Sequence, residues 1–247
     1  MTRVLHRSGA IPPIAVRGEG IYLHTEGGQA IIDASGGAAV ACLGHGNRRV
    51  AEAIGHQAAT MAYAHTGTFS NQPAEDLADI ILRDEPGGLT RAWFCSSGSE
   101  ANEAAIKLAR QYFLEIGQPQ RTRTIARRQS YHGTTLGALA AGGNMMRRAY
   151  FEPILSQAHS LVSPCFAYRF KHDGESDAQY LDRLTRELDA EFQRLGPDTV
   201  MAFLAEPVVG ATTGCVTAIP GYFAAVRAIC DRYGALLILD EVMCGMG

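Results

Sequence analysis

The chain has 247 residues, of which 47% are hydrophobic and 19% charged, and its formal net charge is −3. That is an ordinary globular balance, enough for one large domain or two small ones. No basic run exceeds two residues and no apolar run approaches a membrane span, so neither nucleic acid nor a membrane is an expected partner.

The N-terminus lacks the basic-then-apolar order of a signal peptide. Six scattered cysteines without a CxxC pair read as reduced thiols, which points to the cytoplasm. Of 22 basic residues only Lys107 and Lys171 are lysines.

Residues 21–33 predict two short strands about a Glu26-Gly27-Gly28 turn. Helical spacing predicts helices over 49–64 and 73–83, the second stopped by Pro86-Gly87-Gly88. That stop sets a boundary between an α+β segment, 1–88, and a larger α/β unit, 89–247. In the larger unit, 91–96 reads as a strand, 97–115 as a helix and 123–127 as a strand. Residues 142–174 read as irregular. An amphipathic helix follows over 176–195, with Gly196-Pro197 as its stop. Then come a strand over 199–205, a helix over 220–233 capped by Gly234, and a terminal strand over 235–239. That last strand is uninterruptedly apolar, as strands buried on both faces of a mostly parallel sheet are.

Asp240 follows the terminal strand, and Glu206-Pro207 follows the strand before it. Ligands in open α/β sheets bind beyond the carboxyl ends of the strands, so two neighbouring strands bring two carboxylates to one edge. A buried carboxylate needs a cationic or hydrogen-bonding partner. A metal pair is conceivable, yet no histidine lies near either acid in sequence. Ser96-Ser97-Gly98-Ser99-Glu100 lies between a predicted strand and a helix. It suits a phosphate at a helix N-terminus, and equally a capping box from Ser97 to Glu100. Tyr131-His132-Gly133 follows another strand. The ring could stack on a flat ligand that Gly133 lets approach, or it could be a core tyrosine beside a satisfied histidine. His45, between Gly44 and Gly46, reads as a loop former. Together, a phosphate cradle, a stacking ring and a strand-end carboxylate describe a site for an aromatic phosphate cofactor with a basic ring nitrogen. Asp240 would keep that nitrogen protonated.

These motifs resemble the class III pyridoxal-phosphate aminotransferases, the ω-aminotransferase group of fold type I. The matching pieces fall in family order. They are Asp33-Ala34-Ser35-Gly36-Gly37, Leu43-Gly44-His45, Ser96 through Ala101, Ala105-Ile106-Lys107-Leu108-Ala109-Arg110, Tyr131-His132-Gly133, Glu206-Pro207 and Leu239-Asp240-Glu241-Val242. The resemblance implies that 89–247 is an incomplete pyridoxal-phosphate-binding large domain, and that 1–88 supplies part of a small domain and interface helices. It implies that Gly98 and Ser99, with Ser97 beside them, bind the cofactor phosphate. Tyr131 would stack on the pyridine ring with His132 and Gly133 alongside, Asp240 would pair with the ring nitrogen, and Val242 would pack on the opposite face. Glu206 would face the substrate side, and Phe69, Ala39 and Val40 would line a substrate pocket shared with a partner subunit of a homodimer.

Met243 stands where many relatives carry a glutamine that reaches the cofactor's phenolic oxygen. The family's Schiff-base lysine lies a few tens of residues beyond Asp240, outside this sequence, and Lys107 and Lys171 match no such position. The expectation is therefore a catalytically incomplete N-terminal portion of a longer aminotransferase that moves nitrogen from an amine or amino acid to a 2-oxo acid. A decarboxylase or aminomutase on the same scaffold, or a lysine-less pseudoenzyme, is the competing expectation.

Overall fold

The computed structural model describes residues 2–6 and 8–245. Two units make up the chain, Met1–Phe94 and Cys95–Gly247.

The first unit carries an antiparallel sheet of β1 (Ala15–Glu19), β2 (Tyr22–Thr25) and β3 (Ala30–Ile32), in that spatial order. β2 and β3 occupy the stretch predicted as two strands. Their turn closes with the Gly28 N–H donating to the Thr25 carbonyl at 2.9 Å, and Gly28 takes φ +80°, which a side chain would resist. β1 has no apolar alternation of its own, and its pairing with β2 is what keeps it extended. Helices α1 (Arg48–Thr60) and α2 (Gln72–Leu82) follow. Each begins at an asparagine whose side chain accepts a first-turn N–H, Asn47 from Val50 and Asn71 from Ala74. His45 does shape a loop. It bridges Gly20, and its Nε2 lies 2.9 Å from Asp33 Oδ2, a hydrogen bond that holds the Asp33 carboxyl below its ordinary value.

Residues 91–96, expected as a strand, form none. A short apolar run is not enough without a ladder partner, and none of the described residues pairs with this stretch.

The second unit runs through α3 (Gly98–Glu115), β4 (Arg123–Arg127), α4 (Leu136–Ala141), β5 (His159–Val162), α5 (Asp177–Leu195), β6 (Val200–Ala205), the short hairpin β7 (Val208–Val209) and β8 (Val216–Thr217), α6 (Tyr222–Tyr233) and β9 (Leu236–Leu239). Strands β5-β4-β6-β9 lie in that spatial order, and every neighbouring pair is parallel. α4 and β5 were not expected. The first is built of small apolar residues without periodicity, and the second lies inside the stretch read as irregular.

β9 runs parallel to β6 as its apolar run predicts, but it is not buried on both faces: Leu236 to Ile238 are partly exposed and Leu239 is 42% exposed. Among the described residues β9 has β6 as its sole ladder neighbour, which leaves its other edge uncovered.

The core lies on both faces of this sheet. On one face α5 places Tyr180, Leu184, Leu188 and Phe192 at helical spacing. They pack with Val226, Ile229 and Cys230 of α6 against Ile125 of β4 and Phe203 of β6. On the other, Ala109 and Phe113 of α3 pack against Met201 and Ala202. α5 starts at a capping box in which Ser176 and Gln179 satisfy each other's backbone N–H. Phe192 is fully buried and stacks on Tyr233, with ring centroids 4.7 Å apart. Phe192→Ala should therefore lower the free energy of unfolding by about 3–5 kcal/mol. Urea denaturation followed by far-UV circular dichroism measures this, and a change under about 1 kcal/mol would contradict the central place given to the ring.

Candidate functional site

The chain passes from β4 to β5 on one side, then crosses to β6 on the other side of β4. The strand order thus reverses between β4 and β6, and such a reversal opens a crevice at the carboxyl ends of the strands. The residues that follow β4, β6 and β9 there are the Tyr131-His132-Gly133 loop, Glu206 and Asp240.

Asp240 is 8% exposed. Its Oδ2 accepts from His132 Nδ1 at 2.7 Å and from Asn102 Nδ2 at 3.0 Å, and its Oδ1 accepts from the Val242 N–H at 3.1 Å. These are the partners that the buried acid requires. Burial pushes the carboxyl up, but the His132 hydrogen bond, the electrostatic pull of that ring, the Val242 N–H and the Asn102 amide outweigh it. Asp240 stays below its ordinary value of 3.8. A carboxylate offers about four lone-pair sites. Three are used, so Oδ1 keeps room for one more donor. The imidazole of His132 is sealed from solvent, and its Nε2 has no partner among the described residues.

Glu206, 3% exposed, has no cationic partner among the described residues. Its Oε1 accepts the Tyr131 N–H at 2.9 Å and its Oε2 accepts the Gly210 N–H at 3.1 Å. Burial lifts this carboxyl above its ordinary 4.5, and the two backbone donors and His132 do not reverse the shift. The two carboxylates on one edge are thus pushed in opposite directions.

The start of α3 forms the cap and leaves its first N–H groups unused. Ser97 caps the helix by accepting the Glu100 N–H at 3.2 Å, and Glu100 reaches back to the Ser96 N–H at 2.8 Å. The N–H groups of Gly98 and Ser99 carry no hydrogen bond among the described residues, so they remain available to an anion. Two glycines here leave no ready room for a side chain. A Cβ on Gly98 would come within 2.8 Å of Val242 Cγ1. One on Gly133, at φ +137°, would come within 2.5 Å of Ser99 Oγ. Ser99 Oγ also accepts the Thr134 N–H at 3.0 Å. In this way Ser97, Gly98, Ser99, Tyr131, His132, Gly133, Glu206, Asp240 and Val242 form one connected constellation. Tyr131 carries the Arg147 guanidinium over its ring at 4.8 Å. Phe69, Ala39 and Val40 belong to the first unit and are exposed there. Lys107 is exposed on α3, and Lys171 pairs with Asp177 at 2.6 Å, so neither joins the constellation.

Four residues that carry the site were missed in the sequence. Asn102, 4% exposed, links Asp240 to the carbonyls of Gly98 and His132. Glu103 caps α4 by accepting from the Gly137 and Ala138 N–H groups, and it also accepts from Thr135 Oγ1. Arg127, 1% exposed, donates to the Glu206 carbonyl beneath the rings of Tyr222 and Phe223. Gly143 packs so tightly on the Arg127 carbonyl that no Cβ fits. The available signal was a polar residue on the otherwise apolar side of α3, where Asn102 follows Ala101 and precedes Ala105. Nothing in the spacing marks the other three.

The chain matches a family model described as aminotransferase class-III over residues 4–247. An uncharacterised aminotransferase of Schizosaccharomyces pombe is 50% identical over 236 residues, which are 96% of this chain and 51% of that protein. A taurine–pyruvate aminotransferase of Bilophila wadsworthia is 34% identical over 241 residues, 96% of this chain and 51% of that protein. Among solved structures, an amine transaminase from an uncultivated Pseudomonas species, in its pyridoxal-phosphate-bound form, superposes with a TM-score of 0.91. It is 32% identical, and the match covers 98% of this chain and 56% of that one. The chain spans about half the length of the curated relatives it matches.

The opposite shifts of the two acids predict opposite pH effects on folding. Asp240 is depressed, so its contribution is present above pH 3.8 and is lost as pH falls through its folded-state value. Glu206 is raised, so its contribution is full below pH 4.5 and is lost as pH rises through its folded-state value. The stability of Glu206→Gln relative to the parent should therefore climb as pH rises from 4.5 towards neutrality, measured by urea unfolding at stepped pH. A difference that stays flat across that range would refute the assignment.

Proposed function

This chain belongs to the class-III aminotransferase family, and we propose that the whole protein moves an amino group from an amine or amino acid to a 2-oxo acid with pyridoxal phosphate as cofactor. The observation that carries this reading is the buried Asp240 carboxylate, kept ionised and with one lone pair free, beside a helix start whose first N–H groups are unused. The Nε2 of the sealed His132 has no partner among the described residues at the same place.

Once bound, pyridoxal phosphate supplies an electron sink that stabilises a carbanion. The residues of the chain do the rest. Asp240 holds a proton on the ring nitrogen by charge pairing, and His132 fixes that carboxylate from behind. The N–H groups of Gly98 and Ser99, with the hydroxyls of Ser97 and Ser99, receive the phosphate. Tyr131 would stack on the pyridine ring with Gly133 allowing the approach, and Val242 would pack on the opposite face. Glu206 faces the substrate side, and Phe69, Ala39 and Val40 line the pocket together with a partner subunit of a homodimer. Neither Lys107 nor Lys171 is assigned the covalent role, and the 247-residue stretch by itself is expected to be inactive. The relatives named for taurine and pyruvate, and for diaminobutyrate and 2-oxoglutarate, share a 2-oxo acid acceptor, which supports that acceptor class here. The thiols and the absence of a membrane-crossing helix among the described residues fit a cytoplasmic setting.

The test is spectroscopic. The visible band of the cofactor-loaded whole protein should change on adding an amine donor and return on adding pyruvate, with alanine as product. Formation of carbon dioxide without alanine would favour a decarboxylase instead. In Asp240→Asn the charge partner of the ring nitrogen is lost, and kcat/KM should fall roughly a hundredfold or more, as when one member of a buried ion pair is removed. Retention of parental turnover in that variant would remove Asp240 from the mechanism.

A further inference from the structure

We infer that Asn102 is a positioning residue for the reaction: its side-chain amide sets the orientation of the Asp240 carboxylate and locks it to the phosphate loop. The inference rests on the reading that Asp240 meets the ring nitrogen of pyridoxal phosphate.

Asn102 lies in the second turn of α3 and is 4% exposed. Its Nδ2 stands 3.0 Å from Asp240 Oδ2, 3.0 Å from the His132 carbonyl and 3.1 Å from the Gly98 carbonyl. An amide nitrogen carries two N–H donors, so these three acceptors share them. Each acceptor belongs to a different part of the site: the strand-end acid, the aromatic loop and the helix start. One side chain therefore fixes the separation between the groups that receive the phosphate and the group that receives the ring nitrogen. It also fixes rotation. With His132 and Asn102 both on Oδ2 and Val242 on Oδ1, the plane of the carboxylate is determined and its remaining lone pair has one direction. Without the amide donor, Oδ2 is held by His132 alone and the carboxylate can turn. In a water-excluded site a charge partner that turns away loses much of its value.

The experiment compares two ligands on the cofactor-free whole protein: pyridoxal phosphate, and its analogue with carbon in place of the ring nitrogen. The parent should bind the natural cofactor more tightly than the analogue. Asn102→Ala should erase about ten- to hundredfold of that preference, the size of a hydrogen bond to a charged group, while affinity for the analogue stays within about threefold. Asn102→Leu keeps the approximate volume and loses the donors without adding a charge, so it should show the same loss, and it serves if the alanine variant does not fold. Equal weakening of both ligands would make Asn102 a scaffold residue and overturn the inference, as would an unchanged preference. A parent protein with no preference between the two ligands would overturn the cofactor reading and the inference with it.

Discussion

The arrangement of the second unit depends on keeping one anion inside it. A carboxylate taken out of water is costly unless charge and hydrogen bonds replace its hydration. Asp240 obtains both, from His132, Asn102 and the Val242 N–H. Two of those partners are distant in sequence, while Val242 is only two positions on. Asn102 is 138 positions away and His132 is 108. Satisfying Asp240 therefore forces α3, the loop after β4 and the end of β9 into fixed relation. Building the acid's solvation shell and building the site are one requirement.

The sheet makes that relation possible. β4, β6 and β9 are parallel neighbours, so their carboxyl ends share an edge, and the reversal of strand order between β4 and β6 leaves the space above it open. Two buried arginines, one at each end of the sheet, tie it together without carboxylate partners among the described residues. Arg127 donates to the Glu206 carbonyl, and Arg121 donates to the Val200 carbonyl at 2.6 Å and the Tyr233 carbonyl at 2.8 Å. Backbone carbonyls serve well here because strand and helix ends present them unpaired. A multiply donating guanidinium can satisfy several at once.

Much of this was legible in the residues, for physical reasons that differ from place to place. Asp240 and Glu206 could be read because a carboxylate immediately after an apolar run stands out against its own burial cost. The Ser97 segment could be read two ways; the structure shows the cap, and since capping uses the Glu100 N–H it leaves those of Gly98 and Ser99 free. The helix over 176–195 announced itself through its amphipathic spacing and its Gly196-Pro197 stop. Other features had no local signature. Asn102 and Glu103 are ordinary polar residues of a helix until tertiary structure gives them partners 30 or more residues away. α4 is too uniformly small to show a period, and β5 is extended because β4 is beside it. Residues 91–96 fail for the converse reason, having a strand-like apolar run without a neighbour.

The two carboxylates show how one edge can hold two chemistries. Asp240 and Glu206 end adjacent strands in register, with Ala205 opposite Leu239. Both are more than nine-tenths buried. What separates them is the kind of donor each meets. Asp240 is given an imidazole, a side-chain amide and a backbone N–H, and its anion is favoured. Glu206 is given two backbone N–H groups and lies within the field of Asp240, and its anion is disfavoured. Charge on the first therefore helps to hold protons on the second. An edge built this way presents a carboxylate whose anion is favoured at one point and one whose anion is disfavoured beside it. A ligand with a basic ring atom at one end and a charge-variable substrate at the other would use both at once.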